Sequence, residues 1–216
     1  MAEGTKSRLF LFLNLLSQGF LWGEKSPNVL FIAIDDLNDW VGCLGGHPQT
    51  KTPNLDRLAA SGTLFANAHC PAPVCNPSRS AIFTGISPHV SGLYRNEQKM
   101  RDVLPDAELL PKTFSRSGYR AEGSGKMLHY FIDAQSWDEY FPARETENPF
   151  PQTMDPSKRP VNLPRGGPWQ YYETDWGAIE SSDEEYGGDY SVAEWVGARL
   201  SEKRKKPFFL ASGIYR

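Results

Sequence analysis

The apolar positions of the chain switch between an unbroken run and a helical period. After Pro27 the run Val29-Leu30-Phe31-Ile32-Ala33-Ile34 is partly β-branched. It predicts a strand covered on both faces, as in a parallel α/β sheet. The run stops abruptly at Asp35-Asp36. Thr52-Pro53 then predicts a helix start, with Thr as N-cap and Pro in the first turn. Leu55, Leu58 and Ala59 supply its apolar stripe and Gly62 its end. Residues 63–68 read as a short strand. Residues 77–84 read as a helix closed by Gly85, and 110–116 as a helix closed near Gly118. Residues 121–125 read as a short strand leading to Lys126.

Prolines recur between Phe141 and Pro168, and neither period survives there, so this stretch reads as an irregular surface excursion. Trp169, Tyr171, Tyr172 and Trp176 follow it. Such aromatics pack a loop onto its domain or, as the alternative, stack on a sugar. Asp189 caps a predicted helix with Val192, Ala193, Val196 and Leu200 at helical spacing. The basic run Lys203, Arg204, Lys205 and Lys206 suits the negative end of that helix as a solvated terminus. Pro207 stops it, and 208–212 reads as a second buried strand. Strands alternating with helices predict an α/β fold.

Composition narrows this picture only a little. At 216 residues the chain buries a core as one domain, and a net charge of -3 gives no reason to expect nucleic acid as partner. The three cysteines, Cys43, Cys70 and Cys75, make no disulfide framework; a single Cys43–Cys70 bridge is open. The N-terminus carries Lys6 and Arg8, then an apolar run from Leu9 to Leu16 broken by Asn14. It reads as a secretory signal peptide over 1–24, too short for a stable membrane span. A buried helix or an uncleaved anchor is the alternative. Export places the mature protein in the periplasm or outside the cell.

The candidate chemistry begins at the end of the first strand. Ligands of open α/β sheets gather at the carboxyl ends of strands. Adjacent carboxylates there suit a hard cation, calcium or magnesium, although Asp-Asp equally serves as a turn or cap. Cys75 with Pro77 reads either as a buried Cys before a proline-initiated helix or as a reactive residue at a helix mouth. Lys126 and His129 stand one helical turn apart if their segment is helical.

Cys75-Asn76-Pro77-Ser78-Arg79 resembles the maturation and active-site motif of the type I sulfatases. The segments N-V-L-x-I-x-x-D-D (28–36), T-P-N-L-D-R-L-A-A-S-G (52–62) and C-N-P-S-R-S-A-I-F-T-G (75–85) resemble the N-terminal region of that family, in the family's order. G-K-M-L-H (125–129) and P-F-F-L-A-S-G-I-Y-R (207–216) resemble its iduronate-2-sulfatase-like subgroup. The resemblance covers nearly everything after Pro27. It implies the alkaline-phosphatase-like α/β fold, a mixed sheet flanked by helices and incomplete in this chain. It implies sulfuric ester hydrolysis, with a sulfated sugar or other small molecule as substrate.

The resemblance also implies that a formylglycine-generating maturation enzyme oxidises Cys75 to formylglycine. Asp35, Asp36 and residue 75 then hold one Ca2+. The oxidation replaces a sulfur that matches a hard cation poorly with oxygen. Pro77 opens the following helix, whose free N–H groups face the sulfate. Arg79 holds the modified side chain or an anionic oxygen. Lys126 binds a sulfate oxygen, and His129 orients or deprotonates the nucleophile. Phosphate or phosphonate ester hydrolysis within the same superfamily is the alternative reaction. The family's further metal ligands lie downstream, and calcium wants about 6–8 oxygens. The expectation is therefore the N-terminal part of a catalytic domain (27–216), inactive alone, or a truncated product without catalysis.

Overall fold

The computed structural model describes residues 26–129, 131–143 and 188–215. The expected signal peptide, most of the proline-rich excursion and the aromatics Trp169 to Trp176 lie outside the described residues. The described strands are β1 (Val29–Ile34), β2 (Arg120–Gly125), β3 (Glu139–Phe141) and β4 (Phe208–Ile214). The helices are α1 (Pro53–Ser61), α2 (Cys75–Thr84), α3 (Pro88–Ser91), α4 (Met100–Val103), α5 (Leu110–Arg116) and α6 (Gly188–Leu200). The strands form one sheet in the order β1-β4-β2-β3, parallel at every pairing. This is the expected α/β architecture, with β4 and β2 innermost and almost wholly buried.

β4 lies between β1 and β2, where the late strand 208–214, apolar or glycine but for Ser212, is covered on both sides. Its Phe209 stacks on Phe114 of α5 at 4.3 Å between ring centres. Phe83, Leu93, Met100, Leu109, Met127 and Leu128 close the same core. Gly125 and Gly213 meet where β2 and β4 end. A Cβ on Gly213 would lie 2.1 Å from the Lys126 carbonyl oxygen, and Gly125 has φ +65. Only glycine lets the two backbones approach so closely at this corner.

Several expectations need correction. β1 is covered on one face only: Leu30 and Ile32 of its other face are exposed. Residues 63–68 make no strand; Leu64 and Phe65 there are exposed, and no strand among the described residues pairs with them. The stripe of α1 is not a core face, since α1 has no buried residue and Leu58 is exposed. Its Thr52 does not cap the helix by a side-chain bond to the helix backbone. The Thr52 hydroxyl accepts from the Gly42 N–H at 2.8 Å and donates to Asp56 at 3.1 Å.

α6 ends at Leu200, so the basic run lies beyond it. Within that run Arg204 is not solvated. It pairs with Glu122, which is fully buried in β2 and also bonded by Arg120 at 2.7 Å. A buried carboxylate needs such partners. All three cysteines are free thiols, so the Cys43–Cys70 bridge is not formed.

Candidate active site

The carboxyl ends of β1, β2 and β4 bring Asp35, Lys126 and Tyr215 to one edge of the sheet. Register does this. The Asp35 N–H donates to the Ile214 carbonyl, and the Lys126 N–H donates to the Gly213 carbonyl, each at 2.9 Å. The end of β4 is thus held between the ends of its two neighbours. α2 delivers Cys75 to the same edge, with its sulfur 3.9 Å from Asp35 Oδ2 and 3.8 Å from Lys126 Nζ. Lys126 is 4% exposed, so its ammonium is not solvated as a surface lysine's would be. Its ammonium pairs with Asp35 and sits over the Tyr215 ring, 4.1 Å from the ring centre.

α2 starts at Cys75 rather than at Pro77, with Val74 as N-cap. Few of its first-turn N–H groups remain for an anion. Asn76 donates to Asn96 Oδ1 at 3.0 Å, Pro77 has no N–H, and Ser78 donates to the Val74 carbonyl at 3.1 Å.

Arg79 is buried, and its fork is occupied by the protein itself. Nη2 donates to Asp35 Oδ1 at 2.8 Å, while Nη1 donates to the Lys126 and Met127 carbonyls. In this arrangement the guanidinium fastens α2 to β1 and to the turn after β2, and so fixes where Cys75, Asp35 and Lys126 meet. Burial pushes the Asp35 carboxyl up, but the hydrogen bonds and charges of Lys126 and Arg79 outweigh it. The group stays below the ordinary carboxylate value.

Asp36 is exposed and adopts φ 51, a left-handed conformation that aspartate tolerates. Asp35, Asp36, Cys70, Cys75 and Arg79 line one cleft of about 330 Å³. Residues 126–129 are not helical, so Lys126 and His129 do not share a helix face. His129 is buried and lines a different cleft, of about 390 Å³, with Asn96, Lys99, Arg101 and Phe131. Burial, then the charge of Lys126, lowers its pKa to about 4, so its ring is neutral at pH 7.

Asn76, inside the motif, has a role that its sequence gave no sign of. Its side-chain amide donates to the Arg95 carbonyl at 2.9 Å and to the Gln98 carbonyl at 2.7 Å. That holds the loop lining the His129 cleft against the first turn of α2. Tyr215 is a further site residue that the sequence reading does not single out; its signals are its place just after a strand and within the family-like segment 207–216.

Asp35 and Asp36 supply carboxylate oxygens of the kind a calcium ion takes. Yet among the described residues no three of His, Cys, Asp and Glu come together as a ligand set. Both oxygens of Asp35 are already engaged by cations, and Cys75 offers sulfur. These residues do not complete a calcium site by themselves.

The family model described as "Sulfatase" matches residues 27–211. The chain belongs to the sulfatase family. It is 38% identical over 231 aligned positions to a sulfatase of Formosa agariphila, covering 98% of this chain and 44% of that protein. It is also 37% identical to the N-acetylgalactosamine-6-sulfatase of Sus scrofa, over 58% of this chain and 26% of that one. It is 34% identical to the iduronate 2-sulfatase of Mus musculus, over 52% of this chain and 20% of the other.

This sulfatase-family chain thus spans less than half the length of the curated relatives named here. Among solved structures it superposes on a phosphonate monoester hydrolase of Agrobacterium radiobacter with a TM-score of 0.62. There the identity is 21%, and 88% of this chain and 41% of that one are covered. A protein solved in complex with its substrate D-glucosamine-2-N,6-O-disulfate gives a TM-score of 0.58 at 21% identity, covering 88% and 34%. At these identities the likeness speaks for the fold.

Proposed function

We propose that this chain carries the nucleophile-bearing part of a sulfuric ester hydrolase acting on a sulfated sugar or related small molecule. The observation that carries the reading is Cys75 set within 4 Å of both Asp35 and Lys126, in a sulfatase-family chain. Oxidised to formylglycine by a maturation enzyme and hydrated by water, residue 75 supplies a hydroxyl oxygen that bonds to sulfur as the S–O ester bond breaks and the alcohol leaves. Loss of the proton from the second hydroxyl then expels sulfate and restores the aldehyde.

The chain's own residues prepare that step. Lys126 presents a positive charge beside residue 75, where a sulfate oxygen gains negative charge. Arg79 fixes the Lys126 backbone, while the Lys126 ammonium stays beside Cys75 and Asp35. His129, neutral at pH 7, is able to accept a proton. Asp35 and Asp36 would contribute oxygens to a calcium ion, together with ligands beyond these residues. Sulfated sugars are supported as the substrate class by relatives named as an N-acetylgalactosamine-6-sulfatase and an iduronate 2-sulfatase. Export to the periplasm or the cell exterior is part of the same reading, supported by the basic and then apolar start of the chain.

The test uses a polypeptide carrying this sequence at the length of its relatives, produced with a maturation enzyme. It should hydrolyse an aryl sulfate faster than an aryl phosphonate, and Cys75→Ala should abolish turnover. Faster phosphonate hydrolysis would reverse the substrate assignment. The 216-residue chain alone should show no turnover.

A further inference from the structure

The Lys126 ammonium has three neighbours of different kinds: the Asp35 carboxylate, the Cys75 sulfur and the face of the Tyr215 ring. The first two belong to the reading above, and the third has no role in it. A lysine side chain is a flexible four-carbon stem carrying a point charge, so its position must be imposed from outside. Asp35 constrains one side only. A second carboxylate could constrain the other, but it would neutralise the ammonium and repel a sulfate. An aromatic face attracts the cation through the ring quadrupole and leaves its charge intact.

The backbone that carries the ring is itself held. Tyr215 directly follows β4, the strand hydrogen-bonded to β2, whose end carries Lys126. The Tyr215 N–H donates to Asp189 Oδ1 in the first turn of α6 at 2.8 Å. The Gly125–Gly213 corner brings the two strand ends close enough for ring and ammonium to meet.

We propose that Tyr215 is a positioning residue, whose ring face holds the Lys126 ammonium beside residue 75 in the orientation that receives a sulfate oxygen. This rests on the reading of Lys126 as a sulfate ligand. The contribution is through the π face, so the hydroxyl is dispensable. Tyr215→Phe keeps the function and Tyr215→Leu loses it.

The test uses the 216-residue chain with 13C-labelled lysine side chains, the Lys126 signal being identified by its loss in Lys126→Met. In the wild type and in Tyr215→Phe, ring current should move the Lys126 ε-CH2 protons upfield of the other lysines. An unshifted wild-type signal overturns the proposal without any Tyr215 variant, which matters if Tyr215→Leu folds poorly. Inorganic sulfate is then titrated. Wild type and Tyr215→Phe should respond over the same concentration range, and Tyr215→Leu should need about three- to tenfold more sulfate. A wild-type sulfate response in Tyr215→Leu overturns the role of Tyr215 alone. A Lys126 signal indifferent to sulfate in all the proteins overturns the underlying reading of the site, and this proposal with it.

Discussion

Lys126 Nζ lies 3.8 Å from Cys75 Sγ, although 51 positions separate the two residues in the chain. Their meeting is a product of the sheet. Lys126 stands at the end of β2, while Cys75 opens a helix that is held to the turn after β2 by the buried fork of Arg79. The site is therefore mechanically dependent on one guanidinium.

Removing that guanidinium should be costly. Arg79→Ala leaves Asp35 short of one partner and two backbone carbonyls without their donor, all away from solvent. Breaking a buried pair in this way costs about 3–5 kcal/mol. Arg79→Lys should recover little, because one ammonium cannot span Asp35 and both carbonyls. Urea denaturation of the chain and both variants measures this. A loss below about 1 kcal/mol for Arg79→Ala would assign Arg79 to the exposed class of ion pairs.

His129 should make the fold acid-sensitive in a defined window. Its folded pKa, about 4, lies below the ordinary value of 6.5. The unfolded chain therefore binds more protons between these limits, and stability falls as pH is lowered from about 6.5 towards 4. The lowered carboxylates Asp35 and Asp133 act in the same direction but later, once pH falls below about 4. Thermal midpoints measured from pH 7 to 4.5 should drop less in His129→Gln than in the wild type. Equal slopes would show that His129 is not held neutral.

Calcium should bind this chain weakly. Asp35 and Asp36 offer too few oxygens for an ion that takes about 6–8, and no third acidic ligand joins them among the described residues. Calorimetric titration of the 216-residue chain should give a Kd no tighter than about 0.1 mM. Micromolar binding would mean that these residues already form a complete site.

The parts legible in the sequence are those set by local chemistry. The apolar run of β1, the glycine-closed helix α2 and the motif at Cys75 all fall where their residues place them, give or take the two positions by which α2 starts early. Contacts set by strand order were not legible. That β4 returns between β1 and β2, and so brings Tyr215 to Lys126, depends on a sheet order that no local pattern encodes. Residues 63–68 look like a strand, yet no edge among the described residues pairs with them, and Leu64 and Phe65 stay exposed. The three-residue spacing of Lys126 and His129 makes them neighbours only on a helix, but the turn after β2 is irregular and His129 lines a second cleft.

The decisive measurement is the mass of the peptide containing residue 75, taken from protein made in a host with an active maturation enzyme. An aldehyde in place of the Cys75 thiol, in a large fraction of molecules, is the expected result. A fully retained thiol under those conditions would contradict the assignment of position 75 as the nucleophile precursor.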